Sequence, residues 1–384
     1  MKITSVETVG VTLPMRRPHL SAVQARQRVF TIVRLHTDAG LTGLGEATVL
    51  KECGGPHMTY YGESHKTVAL VVGEYLAPAL VGEDPFQIQA IHQKMDRAIK
   101  GHPYAKAALD IACYDVVGKA LGVPVSTLLG GLVRNRIPVA HSIGIMSPEQ
   151  AAAEAQEAVA EGIKTIKLKV GLDPRRDLET VRQVRKAVAG EIAITVDVNQ
   201  GYPSPGEAVR ILRGMLEHDI LFAEQPVEGI EAMAEVARQV PVPIMHDESA
   251  WTPHDVLRII RLRAGDIISL YTTKPGGLWP ARQMASVAEV GALSANVNVS
   301  GETGVGNAAN LHLAGSAAAV RHGCVLPITG LEGKMPTKIA GRWYLYDLIR
   351  EPFKYEDGCL IVPEGPGLGI SLDEDKLDKY RVPA

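Results

Sequence analysis

From about residue 137 onward, short apolar runs of strand length alternate with longer stretches whose apolar residues recur every three or four positions. The runs lie at 137–144 (IPVAHSIG), 165–170 (TIKLKV), 193–198 (AITVDV), 221–225 (LFAEQ), 243–248 (PIMHDE), 266–271 (DIISLY), 293–300 (LSANVNVS) and 324–328 (CVLPI). Between them lie amphipathic segments such as PEQAAAEAQEAVAEG and DLETVRQVRKAVAG. Runs that are apolar throughout suit strands buried on both faces, and the helical period suits layers that cover them. Eight such strands with helices between them predict an α/β fold closed into a parallel barrel rather than an open sheet.

Residues 1–130 follow another rhythm. MKITSVETVGVTL and FTIVRLHTDAGLTGLGEAT read as strands, the second a hairpin with Asp38, Ala39 and Gly40 at its turn. In YAKAALDIACYDVVGKALG, the positions Ala107, Ala108, Ile111, Ala112 and Val116 recur at helical spacing and predict a buried helix face. Leu128, Leu129, Gly130 and Gly131 end this module. The barrel pattern occupies 131–340, and from 341 to 384 the chain reads as a return to the first module.

Composition narrows the class without naming it. The chain has 384 residues, too many for one ordinary compact domain, and 46% of them are hydrophobic, ample for a large core. A net charge of −3 with no basic stripe argues against nucleic acid as a partner. Cys53, Cys113, Cys324 and Cys359 are scattered, with no paired spacing, so neither a disulfide framework nor a thiolate metal site is expected. The N-terminus reads as an alternating strand, and no apolar run reaches membrane-spanning length, so a cytoplasmic protein without membrane contact is expected.

The chemistry is carried by residues at the ends of successive strands. Asp197, Glu224 and Asp247 each close one run and are separated by one strand, one helix and two connections. In a barrel such ends point to one face, so the three carboxylates converge. Left alone they repel, and a hard divalent cation relieves the conflict, with Mg²⁺ favoured by all-oxygen ligands. One run earlier, Lys167 and Lys169 share a strand face, where each places a like charge beside the other.

These residues resemble the enolase superfamily, and within it the muconate-lactonizing subgroup. The match runs in order through Lys167-x-Lys169, Asp197 with Asn199, Glu224-Gln225-Pro226 and Asp247-Glu248-Ser249. Arg17-Pro18-His19, Gly45-Glu46-Ala47-Thr48 and Pro366-Gly367-Leu368-Gly369 are similar to muconate cycloisomerases in particular. The resemblance implies a modified (β/α)7β barrel closed by an α+β capping domain built from both termini. It also implies Mg²⁺ or Mn²⁺ at the three acids, a small carboxylate substrate and a homo-oligomer, dimer or octamer. Proton removal next to a carboxylate creates an enediolate, and that charge needs a cation in a site screened from water. The resemblance further implies a Lys or His as the base beside Mg²⁺. On that footing Lys169 is the expected proton-transfer residue and Lys167 its electrostatic partner.

One position departs from the subgroup. The resemblance implies a second catalytic lysine on the sixth strand, five residues before a Gly-Gly pair; here the pair is Gly276-Gly277 and the position holds Tyr271. Lys274 lies three residues further on, so strand alternation is expected to turn it the other way. A phenol near pKa 10 donates a hydrogen bond or proton but is a weak base at pH 7. Tyr271 is therefore expected to limit the enzyme to one base. That favours cycloisomerisation of a muconate-like dicarboxylate first, dehydration of a hydroxy acid or hydroxyproline-type substrate second, and amino-acid or dipeptide epimerisation third. A non-catalytic binding protein is disfavoured by retention of the acids and lysines. Glu302 lies where cycloisomerases carry a seventh-strand Glu and either orients a base or caps a helix. His141 and His246 sit near strand ends, as catalytic groups or as hydrogen-bonded core residues. His19, His57, Tyr60 and Tyr61 lie in loops that cover the pocket in this family, where they contact substrate or remain on the surface; Asn199, Lys274 and Glu302 join them as candidate substrate contacts.

Overall fold

The computed structural model of the protein describes residues 1–16, 29–49 and 63–382. Its first layer is an antiparallel sheet of three strands, β1 (Ile3–Val11), β2 (Phe30–Thr37) and β3 (Thr42–Thr48), in sequential order. The β2–β3 hairpin turns at Asp38–Gly40, where Gly40 takes a φ of +71°. Alternation along β2 serves two cores: Phe30 and Ile32 join the main core, and Val33 and Leu35 pack with the helices of the N-terminal module. Helix Pro103–Leu121 is buried around most of its circumference. It lies so close to β3 that a Cβ at Gly43 would sit 2.1 Å from the Ala112 carbonyl oxygen, and one at Gly45 would sit 1.8 Å from that of Ala108. Glycine is required at both places by lack of space.

Strand β4 (Arg136–Pro138) pairs with β13 (Cys359–Ile361), which in turn pairs with β12 (Tyr355–Glu356). The barrel follows as seven parallel strands: β5 (Ala140–Ile143), β6 (Thr165–Lys169), β7 (Ala193–Asp197), β8 (Ile220–Glu224), β9 (Ile244–His246), β10 (Ile267–Leu270) and β11 (Ser294–Val297), neighbours in chain order. The eighth run, CVLPI, forms bridges rather than a regular strand. The Cys324 amide donates to the Pro138 carbonyl at 2.8 Å, Cys324 O accepts from Ala140 at 2.8 Å, and the Val325 amide donates to Val297 at 3.1 Å. The segment thus joins the last strand to the first and closes the sheet. Pro327, lacking an N–H, cannot extend that pairing.

Three carboxylates tie the N-terminal module to the barrel and to the C-terminal segment. Asp110 on the long helix accepts from the Leu278 amide at 2.5 Å, at the start of helix Leu278–Val290. Asp115 accepts from Leu44 and from Leu368, each at 2.8 Å, and from Lys119 at 2.6 Å. Glu46 on β3 accepts from the Thr303 and Gly306 amides, each at 2.8 Å, where helix Gly304–Ser316 begins. Cys113, Cys324 and Cys359 are free thiols, and Cys53 lies outside the described residues. Among the described residues no helix is long and apolar enough to cross a membrane.

Candidate active site

Strand register brings the acids to one level. Lys169 is paired with Asp197, Asp197 with Glu224, and Glu224 with Met245, so Asp247 lies just beyond that row. Directly after the acids, Asn199, Gln200 and Gln225 hold φ values of +47°, +62° and +39°. Non-glycine residues rarely adopt this region, and such strain persists where surrounding contacts over-determine it. Gln225 shows how: its side-chain oxygen accepts from the Asp247 amide at 2.9 Å and from the Ser249 amide and hydroxyl at 3.2 and 2.9 Å. The β8 and β9 ends are thereby locked together.

The ammonium groups lie among these carboxylates. Lys167 Nζ donates to Glu224 at 2.8 Å and lies 2.8 Å from Asp197 Oδ2. Lys169 Nζ donates to that same Oδ2 at 2.5 Å and to Asn199 Oδ1 at 2.8 Å. One anionic oxygen therefore stands between the two lysines and offsets the repulsion expected from their spacing. Lys169 keeps 14% of its side chain exposed, against 4% for Lys167. Only the former is open to a substrate. Asn199 is also fixed by donating to Glu248 at 2.9 Å, and Asn298 donates to Glu224 at 3.0 Å.

The sixth strand ends at Leu270. Beyond it alternation no longer applies, and Lys274 is not turned away as its spacing predicts: its ammonium donates to the Asp247 carbonyl at 2.7 Å and to the Asp247 carboxylate. Tyr271 donates its hydroxyl to Asp247 Oδ2 at 3.0 Å, and Lys274 Nζ lies 4.2 Å from the centre of its ring. Both residues thus converge on one metal-ligand candidate.

Burial dominates the electrostatics. It pushes Glu224 well above the usual carboxylate range, reinforced by Asp197 and Asp247. It raises Asp197 as well, but Lys167 and Lys169 outweigh it and hold that carboxyl below its ordinary value. Burial opposes charge on Lys167, yet Asp197, Glu224 and Asp247 together raise it above a normal lysine. Glu248 is pushed up to about 8, by burial first and then by Asp247 and Asp197. The Tyr271 phenol is driven well above 10 by burial and then by Asp247, which keeps it neutral.

Among the described residues no three metal-binding side chains close on a single point; the acids are instead held by the lysines and Tyr271. Their chemistry still suits a hard cation: all donors are carboxylate oxygens, buried, on adjacent strand ends, and mutually destabilising as anions. A cation binding there has to take oxygens from the ammonium groups.

The remaining candidates divide. Glu302 accepts from the Ser300 amide at 3.3 Å and packs with Glu46 around Gly306. His246 is bound to Ser249 at 2.7 Å and to the Ala264 carbonyl at 2.9 Å, and burial lowers it to about 4. His141 lies between Glu154 at 2.8 Å and the Gly341 amide at 2.9 Å. Both are core residues tied to backbone. Arg17, Pro18, His19, His57, Tyr60 and Tyr61 lie outside the described residues. Asn298 is a residue the sequence reading missed; its signal is the polar alternation Asn296, Asn298, Ser300 in an otherwise apolar run.

Comparison with known proteins agrees along the whole chain. Residues 3–130 match the family described as Mandelate racemase / muconate lactonizing enzyme, N-terminal domain, and 150–376 match Enolase C-terminal domain-like. The chain is 34% identical to an N-succinyl-L-Arg/Lys racemase of Bacillus cereus, covering 100% of this chain and 98% of that one. It is 35% identical to muconate cycloisomerase 1 of Rhodococcus opacus, covering 99% and 98%. The structure of 2-chloromuconate cycloisomerase from Rhodococcus opacus 1CP superposes with a TM-score of 0.90 at 31% identity over 100% of both chains. A dipeptide epimerase from Enterococcus faecalis V583, complexed with Mg and a dipeptide, gives 0.85 at 29% identity over 97% of this chain and 100% of that one. The chain belongs to the enolase superfamily, in its muconate-lactonizing subgroup, as a muconate cycloisomerase-like enzyme of isomerase type.

Proposed function

We propose that the protein is a Mg²⁺-dependent cycloisomerase that moves a proton on one face of a small dicarboxylate, with Lys169 as the proton-transfer group. The observation that carries this reading is the neutral Tyr271 phenol, hydrogen-bonded to Asp247 at 3.0 Å, where a two-base enzyme of this subgroup holds a lysine. Lys169 is the exposed ammonium of the group. It gives or takes a proton at the carbon next to the substrate carboxylate, while Lys167 stays sealed between Asp197 and Glu224 and offsets part of their negative charge. Asn199 holds Lys169 in place. Asp197, Glu224 and Asp247 hold the cation, Mg²⁺ or Mn²⁺, which when bound supplies positive charge against the charge developing on the substrate carboxylate. The division at 131 and 341 makes the termini a cap over the barrel, and the enzyme works as a cytoplasmic homo-oligomer. Dehydration by one base and one acid is the alternative for the same residues.

A second reading is favoured by one observation: Lys274 reaches the site instead of turning away, its ammonium on Asp247. If it serves the second face, the enzyme racemises N-acylated amino acids, the activity named for the Bacillus cereus relative. The test is turnover of cis,cis-muconate, N-succinyl amino acids and dipeptides with Mg²⁺ by wild-type protein and by Lys169→Ala. Muconate turnover that falls by about 10² to 10⁴ in the variant is expected. Retention of more than a tenth of the wild-type rate removes Lys169 from its role.

A further inference from the structure

Register sets a second site apart from the first. Gly10 on β1 pairs with Thr31 on β2, and Thr8 with Val33, so these residues share the sheet face that Val33 packs against the N-terminal helices. Gly10 presents no side chain there, and a Cβ at that position would lie 2.8 Å from Val382 Cγ2. Beside it opens a cavity of about 460 Å³ lined in part by Thr31, His65, Lys66, Arg381 and Val382. That volume falls within the range of small-molecule sites, about 300 to 1,000 Å³.

Two features point to the ligand. Thr31 is buried, 1% exposed, and its hydroxyl has no hydrogen-bond partner among the described residues; leaving such a group unsatisfied is costly. The described lining carries Lys66, Arg381 and His65 and no acid. Arg381 lies 3.9 Å from the carboxylate of Glu7, which is not part of the lining. Val9, Ala69 and Val382 give the rest of the wall its apolar part, with Thr8 beside them.

We propose that this cavity binds a small carboxylate with an apolar body, its anionic end on Lys66 and Arg381 and in reach of the Thr31 hydroxyl. The site is independent of the barrel chemistry and holds whichever reaction the enzyme performs. Benzoate is the probe, with benzamide as its neutral match and inorganic phosphate as an anion without an apolar body, measured by titration calorimetry on the full chain with and without Mg²⁺.

Wild-type protein and Lys169→Ala are expected to bind benzoate equally. Lys66→Glu and Arg381→Glu each weaken it at least about tenfold, and benzamide and phosphate bind at least about tenfold more weakly than benzoate. Thr31→Val, which keeps the strand and removes only the unsatisfied hydroxyl, is expected to weaken benzoate severalfold while the melting temperature of the ligand-free protein stays the same or rises. Benzoate affinity unchanged in Lys66→Glu and Arg381→Glu, or lost in Lys169→Ala, or absent in the wild-type protein, overturns the proposal, as does equal affinity for benzamide or phosphate.

Discussion

The carboxylate of Asp110, on the long helix of the N-terminal module, occupies the space that a side chain at Gly277 would need. A Cβ there would lie 2.2 Å from Asp110 Cγ, and Gly277 has a φ of +132°. The second glycine after the sixth strand is therefore a docking element as well as a turn. Asp110 reaches past it to the Leu278 amide and also accepts a contact from His92 at 2.6 Å. Gly277→Ala is expected to cost at least about 2 kcal/mol, since it adds both a clash and an unfavourable backbone conformation. Thermal unfolding of the variant measures this.

Glu46 offers a second test of the seam between module and barrel. Its buried carboxylate takes two amides and the hydroxyls of Thr48 and Thr303, at 2.5 and 2.6 Å. Glu46→Ala leaves those donors without their acceptor and is expected to destabilise the protein by about 2 to 3 kcal/mol. Glu46→Gln, which keeps one acceptor oxygen, is expected to cost less. Denaturant midpoints with an unchanged slope show whether the loss is one of stability alone.

Acid sensitivity follows from His312. Its Nδ1 accepts from the Ser126 amide at 3.3 Å and its Nε2 donates to the Leu368 carbonyl at 3.2 Å. Burial lowers the ring to about 4. The unfolded ring, near 6.5, binds protons more readily. The contribution is therefore complete above pH 6.5 and is lost as pH falls from 6.5 towards 4. Unfolding free energies of wild type and His312→Asn are expected to converge as pH drops through that window. A constant difference across it contradicts the assignment.

Much of this was legible in the chain. The strand and helix rhythm, the three acids and the Lys167–Lys169 pair all follow from local periodicity, because barrel strands repeat a simple pattern and end on one face. Lys274 departs from the alternation pattern because the strand ends at Leu270, before that position is reached. The roles of Asp110, Asp115 and Glu46 were not legible, since each caps a backbone segment far away in sequence. CVLPI has the composition of a strand, yet it closes the sheet with single bridges around Cys324.

Metal dependence tests the acids as a set. Mg²⁺ at about 100 times its dissociation constant is expected to stabilise the wild-type protein by about 2.7 kcal/mol. The shift should vanish in Glu224→Gln, because Glu224 is buried among the other acids and has no solvent-exposed alternative. A Mg²⁺ shift that persists in the variant places the ion elsewhere.

The central claim is that a neutral Tyr271 leaves the enzyme with a base on one face only. It is tested most directly by following N-succinyl-L-arginine with wild-type protein and Mg²⁺ in D₂O, by chiral chromatography and by proton NMR of the α position. The one-base account predicts no inversion, whether or not the α-proton exchanges with solvent. Formation of the D-enantiomer at rates in the ordinary enzyme range, about 1 to 10³ s⁻¹, contradicts it and assigns the second base to Lys274.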